Sequence, residues 1–104
     1  MAAQPSDPVV AAFVSALNAG DKDAFFALLT DDATMTDDGV ERDLAAWTDK
    51  EIFSSAGHMD VESVAPDSRS LVATYTNSTW GAMRTRWSFT VAGDRISHFD
   101  TGQA

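Results

Sequence analysis

The chain has no cysteine, a single tyrosine, three prolines and only seven basic residues in a length of 104. Without cysteine there can be no disulfide, thiolate nucleophile or thiolate metal ligand, and the absence agrees with a reducing compartment. Seven lysines and arginines against sixteen acidic residues leave a formal net charge of -9. That field repels phosphate backbones and anionic lipid heads, so neither nucleic acid nor a membrane surface is an expected partner. No run approaches the roughly 20 apolar residues that span a bilayer. The opening "MAAQPSDP" has neither the basic segment nor the apolar core of an export signal, which reads as a cytoplasmic protein. For the same reason Asn77, Ser78 and Thr79 read as a polar loop rather than a glycosylation acceptor. A Gly-rich phosphate loop, a Ser/His/Asp order and a His-x-x-x-His pair are also missing. The acidic stretch from Asp31 to Asp43 lacks the ligand spacing of a calcium loop. No cofactor and no metal are expected.

What is present describes a packed fold. Hydrophobic residues make up 44% and charged residues 22%, as in ordinary globular proteins, and the length allows one domain with one core. Residues 1–6 read as a flexible polar tail and residues 7–104 as a single domain. Asp7 before Pro8 is a helix start, because the carboxylate accepts orphan backbone donors and proline at the first helical position has none to lose. Val10, Phe13, Val14 and Leu17 follow at helical spacing up to Gly20. Asp21 restarts a shorter helix with Phe25, Leu28 and Leu29 on its apolar face. A brief strand, "ATMTD", ends at the turn signal Asp38, Gly39. A third helix is predicted from about Arg42 to Ser55, with Leu44, Trp47, Thr48, Glu51 and Ile52 on one side and Gly57 closing it.

From His58 the hydrophobic period changes to two, the mark of half-buried strands. "HMDVESV", "SLVATYTN", "AMRTRWSFTV" and "RISHFD" are four such runs, the last two joined by a tight hairpin at Gly93, Asp94. In the third run Met83, Thr85, Trp87, Phe89 and Val91 face one way and Arg84, Arg86, Ser88 and Thr90 the other. Three helices followed by a four-stranded meander predict an α+β layer fold, with the helices on one face of a curved antiparallel sheet.

That order of elements, with "NAGDKDAFFALLTDDATMTDDG" at the second helix and first strand, resembles the nuclear transport factor 2-like superfamily and, within it, the small SnoaL-like proteins. The matching features are the Ala19, Gly20, Asp21 link, the Asp31, Asp32, Ala33 step into a strand, and Trp47 on the later helix. The likeness runs from Asp7 to about Asp100. It implies a cone-shaped fold whose curled sheet leaves an apolar cavity open at one end, suited to a small apolar or aromatic molecule. It also implies a homodimer formed through the outer sheet face, which here carries Arg84, Arg86, Ser88 and Thr90.

Ketosteroid isomerases, distant relatives on this scaffold, use an aspartate base at the end of the first strand with a tyrosine and a protonated aspartic acid as oxyanion donors. Aligned by the "GD" link and the "DDAT" step, Asp37 falls on the base position, Phe13 on the tyrosine and Trp87 on the aspartic acid. Each such donor contributes roughly 2.7 to 4 kcal/mol to the transition state. A base without either donor argues against steroid isomerisation. Asp37 therefore has three readings: a turn residue before Asp38 and Gly39, a polar contact in a pocket, or a general base with Tyr75 or His58 as partner. Phe13, Trp47, Glu51, Tyr75, Thr85, Trp87 and Phe99 are the predicted pocket residues. Core packing is the competing reading for the aromatic ones, as is a solvated helix flank for Glu51. Three functions remain open at this point: a binding domain, an acid-base isomerase, cyclase or hydrolase, and a structural or partner-binding dimer with a filled cavity.

Overall fold

In the computed structural model, Pro5 and residues 7–67 and 69–104 are described. The expected tail, residues 1–6, lies outside the described residues except for Pro5. Helix α1 spans Pro8–Ala19. Its start is held by the Asp7 carboxylate, which accepts from the Val9 and Val10 amides at 2.9 and 3.3 Å. Gly20 ends it in the left-handed conformation at φ 66°, which costs a glycine little. Helix α2 (Lys22–Ala27) follows with Asp21 as its cap.

Leu29 does not complete the apolar face of α2 as predicted. It opens strand β1 (Leu29–Asp37), which is longer than the expected "ATMTD". Asp38 and Gly39, with φ of 51° and 80°, make the two-residue loop into β2 (Val40–Arg42), and Asp37 pairs with Val40 across it. This second strand takes residues that the sequence pattern assigned to a helix or a loop. The third helix is correspondingly shorter. Asp43 caps it by accepting from the Ala46 amide at 3.1 Å, and α3 covers Leu44–Thr48. A π-helical turn, Asp49–Phe53, continues it.

Strands β3 (His58–Val64), β4 (Ser70–Asn77), β5 (Gly81–Ala92) and β6 (Arg95–Gln103) complete the chain. The expected antiparallel meander is present as β3 to β6, but the sheet is not antiparallel throughout: β1 and β2 extend it to six strands of a mixed sheet, in the order β2-β1-β6-β5-β4-β3. Its only parallel pair joins β1 to β6, among the described residues. Inside, Phe13 of α1 lies 4.9 Å from Phe25 and from Phe89 and 5.3 Å from Phe99, ring centre to ring centre. The amide of Asn18 fastens α1 to β3, donating to the Met59 carbonyl at 2.9 Å and accepting from its amide at 2.7 Å.

Candidate functional site

A cavity of about 630 Å³ opens between the end of β1, the α3 and π-helical segment, and the facing side of β4 to β6. This lies within the size range of small-molecule sites. Alternation along β5 aims Met83, Thr85 and Trp87 at it, while Tyr75 arrives from β4. Trp47 arrives from α3 and Glu51 from the π-helical turn. π-helical turns are rare and recur at functional sites. Here the Ser54 amide reaches back five residues to the Asp49 carbonyl, at 2.7 Å.

The Glu51 carbonyl is occupied by two side chains of β4: Tyr75 donates to it at 2.6 Å and Asn77 Nδ2 at 3.0 Å. These bonds lock the turn to the sheet and hold the Glu51 carboxylate at the cavity. Gly57 makes the arrangement possible. A Cβ there would stand 2.2 Å from the Tyr75 hydroxyl, so the position needs glycine for room. The residue just before this glycine, Ala56, is the one in the left-handed conformation, at φ 53°.

The polar edges of the wall aromatics are all engaged. Trp47 Nε1 donates to Asp37 Oδ2 at 3.2 Å, and Trp80 Nε1 donates to Glu51 Oε2 at 2.9 Å. Trp87 Nε1 donates to the Thr85 hydroxyl at 2.8 Å, which in turn donates to the Ala73 carbonyl at 3.1 Å. Burial pushes the Tyr75 phenol well above its ordinary pKa, and the nearby Glu51 charge adds to the shift. The phenol is therefore neutral and donates its hydrogen bond to the Glu51 carbonyl. Among the described residues no group of three or more ligating side chains forms a metal site and no helix is long and apolar enough to cross a membrane.

No family model and no curated protein sequence matches this chain. Solved structures do. A candidate polyketide cyclase from Sinorhizobium meliloti superposes with a TM-score of 0.73 at 18% identity, over 89% of this chain and 92% of its own. An NTF2-like protein of unknown function from Cytophaga hutchinsonii gives 0.72 at 14% identity, over 97% and 92%. The chain has the nuclear transport factor 2-like fold. A third structure of this fold, a Catenulispora acidiphila protein with a ketosteroid isomerase-like fold in complex with trimethylamine, gives 0.71 at 17% identity, over 95% and 85%.

Within this nuclear transport factor 2-like fold the expected site residues separate into two groups. Asp37, Trp47, Glu51, Tyr75, Thr85 and Trp87 all line the cavity. Phe13 and Phe99 do not: both are fully enclosed in the core, where other phenylalanine rings surround them. His58 stands apart at the start of the edge strand β3, its side chain half exposed and 3.3 Å from Asp60. It offers Asp37 no proton-transfer partner. Asp38, Asp43, Met83 and Trp80 also line the cavity but were not among the expected pocket residues, although strand parity puts Met83 on the same face as Thr85 and Trp87. For Trp80 a signal existed: a tryptophan inside the otherwise polar connection "NSTWG" has no core to fill.

Proposed function

We propose that this is a SnoaL-like binding domain whose cavity receives a small molecule with a flat or apolar body. The observation that carries the reading is the wall itself. Trp47, Tyr75, Trp80 and Trp87 have their polar edges bonded to protein groups, so a ligand meets ring faces rather than unmatched donors. Trp80 is 61% exposed beside this cavity, so its ring is aromatic surface that a ligand can reach. That the Catenulispora acidiphila protein of this fold is in complex with trimethylamine supports small-molecule binding as a use of the fold. In this reading the sheet curls around the helices as the cone the resemblance implies, and two copies associate through the outer sheet face.

Native mass spectrometry of the purified protein, followed by titration of tryptophan fluorescence with bicyclic aromatic compounds, tests the reading. Retained ligand mass, or saturable quenching, is expected. An apo mass together with fluorescence indifferent to every compound would overturn it.

A second reading, acid-base catalysis with Asp37 as the base, is favoured by one observation: Trp47 holds one oxygen of that carboxylate on the cavity wall. It requires that Asp37→Asn abolish turnover of a ligand that the variant still binds.

A further inference from the structure

The wall carries more than aromatic faces. Four carboxylates border the cavity, those of Asp37, Asp38, Asp43 and Glu51, against two cationic side chains, Arg42 and Lys50. Arg86, which lies close enough to feel Asp37 and Asp38, is engaged with Asp100 at 2.6 Å. Two of the carboxylates are joined to indole rings: Asp37 to Trp47 through Oδ2, and Glu51 to Trp80 through Oε2. No protein hydrogen bond among the described residues reaches Asp37 Oδ1 or Glu51 Oε1. An indole that donates its N–H to an anion becomes more electron-rich over its face, and the face of tryptophan is the strongest cation-binding surface among side chains. Met83, Tyr75 and Trp87 also line the cavity, the two rings nearly buried, and offer apolar contact.

We propose that the ligand is an organic cation, an amine or quaternary ammonium on a small apolar body, with its charged end held by the Trp47–Asp37 and Trp80–Glu51 pairs and its body against Trp87. This rests on the cavity being a binding site and names the class of molecule it takes. The geometry is complementary at both ends of such a ligand: carboxylates and ring faces for the charge, buried rings for the rest. The chain's net charge of -9 raises the local concentration of cations and excludes anionic congeners.

The test compares three probes of similar size: benzyltrimethylammonium, its uncharged isostere neopentylbenzene, and phenylacetate. Binding is followed by NMR on the indole N–H signals, assigned with tryptophan-to-phenylalanine variants. The cation is expected to bind about tenfold or more tightly than the neutral isostere and to move the Trp47 and Trp80 signals. Glu51→Gln keeps an acceptor for the Trp80 N–H while removing the charge, and Asp37→Asn does the same for Trp47. Each should weaken the cation by about threefold and leave the neutral probe unchanged. Equal or tighter binding of neopentylbenzene or phenylacetate overturns the cation assignment and leaves the binding site standing. Failure of all three probes to bind overturns the cation assignment, and the binding reading falls with it only where the protein also shows an apo mass and fluorescence indifferent to every compound.

Discussion

Two sets of aromatic rings share the interior, and they behave differently. Phe13, Phe25, Phe89 and Phe99 are almost wholly enclosed and none of them touches the cavity. Trp47, Tyr75, Trp80 and Trp87 all line it, although Tyr75 and Trp87 are as enclosed as the phenylalanines and Trp80 is largely exposed. Phenylalanine has no polar atom, so a tight cluster of such rings closes on itself without any hydrogen-bonding condition. Tryptophan and tyrosine each carry a donor that must be matched when buried. Here each donor is matched along the cavity wall, by Asp37, Glu51 or Thr85, which stations the rings where the interior stays open. Trp87 stands at the boundary, stacked on Phe99 at 6.1 Å on one side and facing the cavity on the other.

The comparison breaks most visibly in the phenylalanine set. Phe13→Ala should cost about 3–5 kcal/mol, since a fully buried ring leaves a void its neighbours cannot fill; the urea unfolding midpoint measures it. A loss under about 1 kcal/mol would mean that this part of the interior is not closed. The next effect lies at the seam between helix and sheet. Gly57→Ala puts a methyl group 2.2 Å from the Tyr75 hydroxyl and 3.0 Å from the Ile52 backbone, an overpacking worth about 1–3 kcal/mol. Tyr75→Phe removes the clashing oxygen. The double variant should therefore lose less stability than the two single losses added together. Additive losses would show that the glycine is not there to make room for the phenol.

Trp80→Ala should change stability by less than about 1 kcal/mol, because the ring is mostly exposed and anchored by a single bond to Glu51. Ligand affinity should fall far more than stability does. A variant that unfolded early with its binding intact would place Trp80 with the core rings instead.

These contrasts also mark what the sequence could and could not say. Helices α1 and α2 and strands β3 to β6 were legible because caps, turn residues and period-two alternation are local signals, written within a few residues. The long-range partner of β1 was not legible. It is β6, more than sixty residues away, where Thr34 lies beside His98 and Asp37 beside Thr101; no short pattern records such a pairing. The π-helical turn was hidden for a similar reason, since Tyr75 and Asn77 hold it from β4. At the site, strand parity put Thr85 and Trp87 on the inner face, but parity alone does not separate an inner face that packs from one that lines a hollow. Phe99 has the right parity and lies off the cavity wall, whereas Trp87, buried to the same degree, lies on it. The hydrogen-bonding capacity of each ring was the better guide, and it was already in the sequence.

The outer face of the sheet, where no cavity and no core intervene, offers the mildest contrast. Thr36 donates to Asp100, whose other oxygen accepts from Arg86 at 2.6 Å. Desolvation works to raise the pKa of Asp100, but the Thr36 and Arg86 hydrogen bonds and the guanidinium charge outweigh it and hold the carboxyl below its ordinary value. With the folded-state pKa below the unfolded one, the ionised form contributes stability that is fully present above the ordinary aspartate value of about 3.9 and is lost as pH falls through the folded-state value. Asp100→Asn removes the titration while keeping the shape. The native chain should therefore lose more stability than Asp100→Asn between about pH 5 and about pH 3, by an amount smaller than the core and seam effects because the pair is partly exposed. Parallel losses in the two proteins would show that the Arg86–Asp100 pair is incidental to folding and that acid sensitivity originates in other carboxylates.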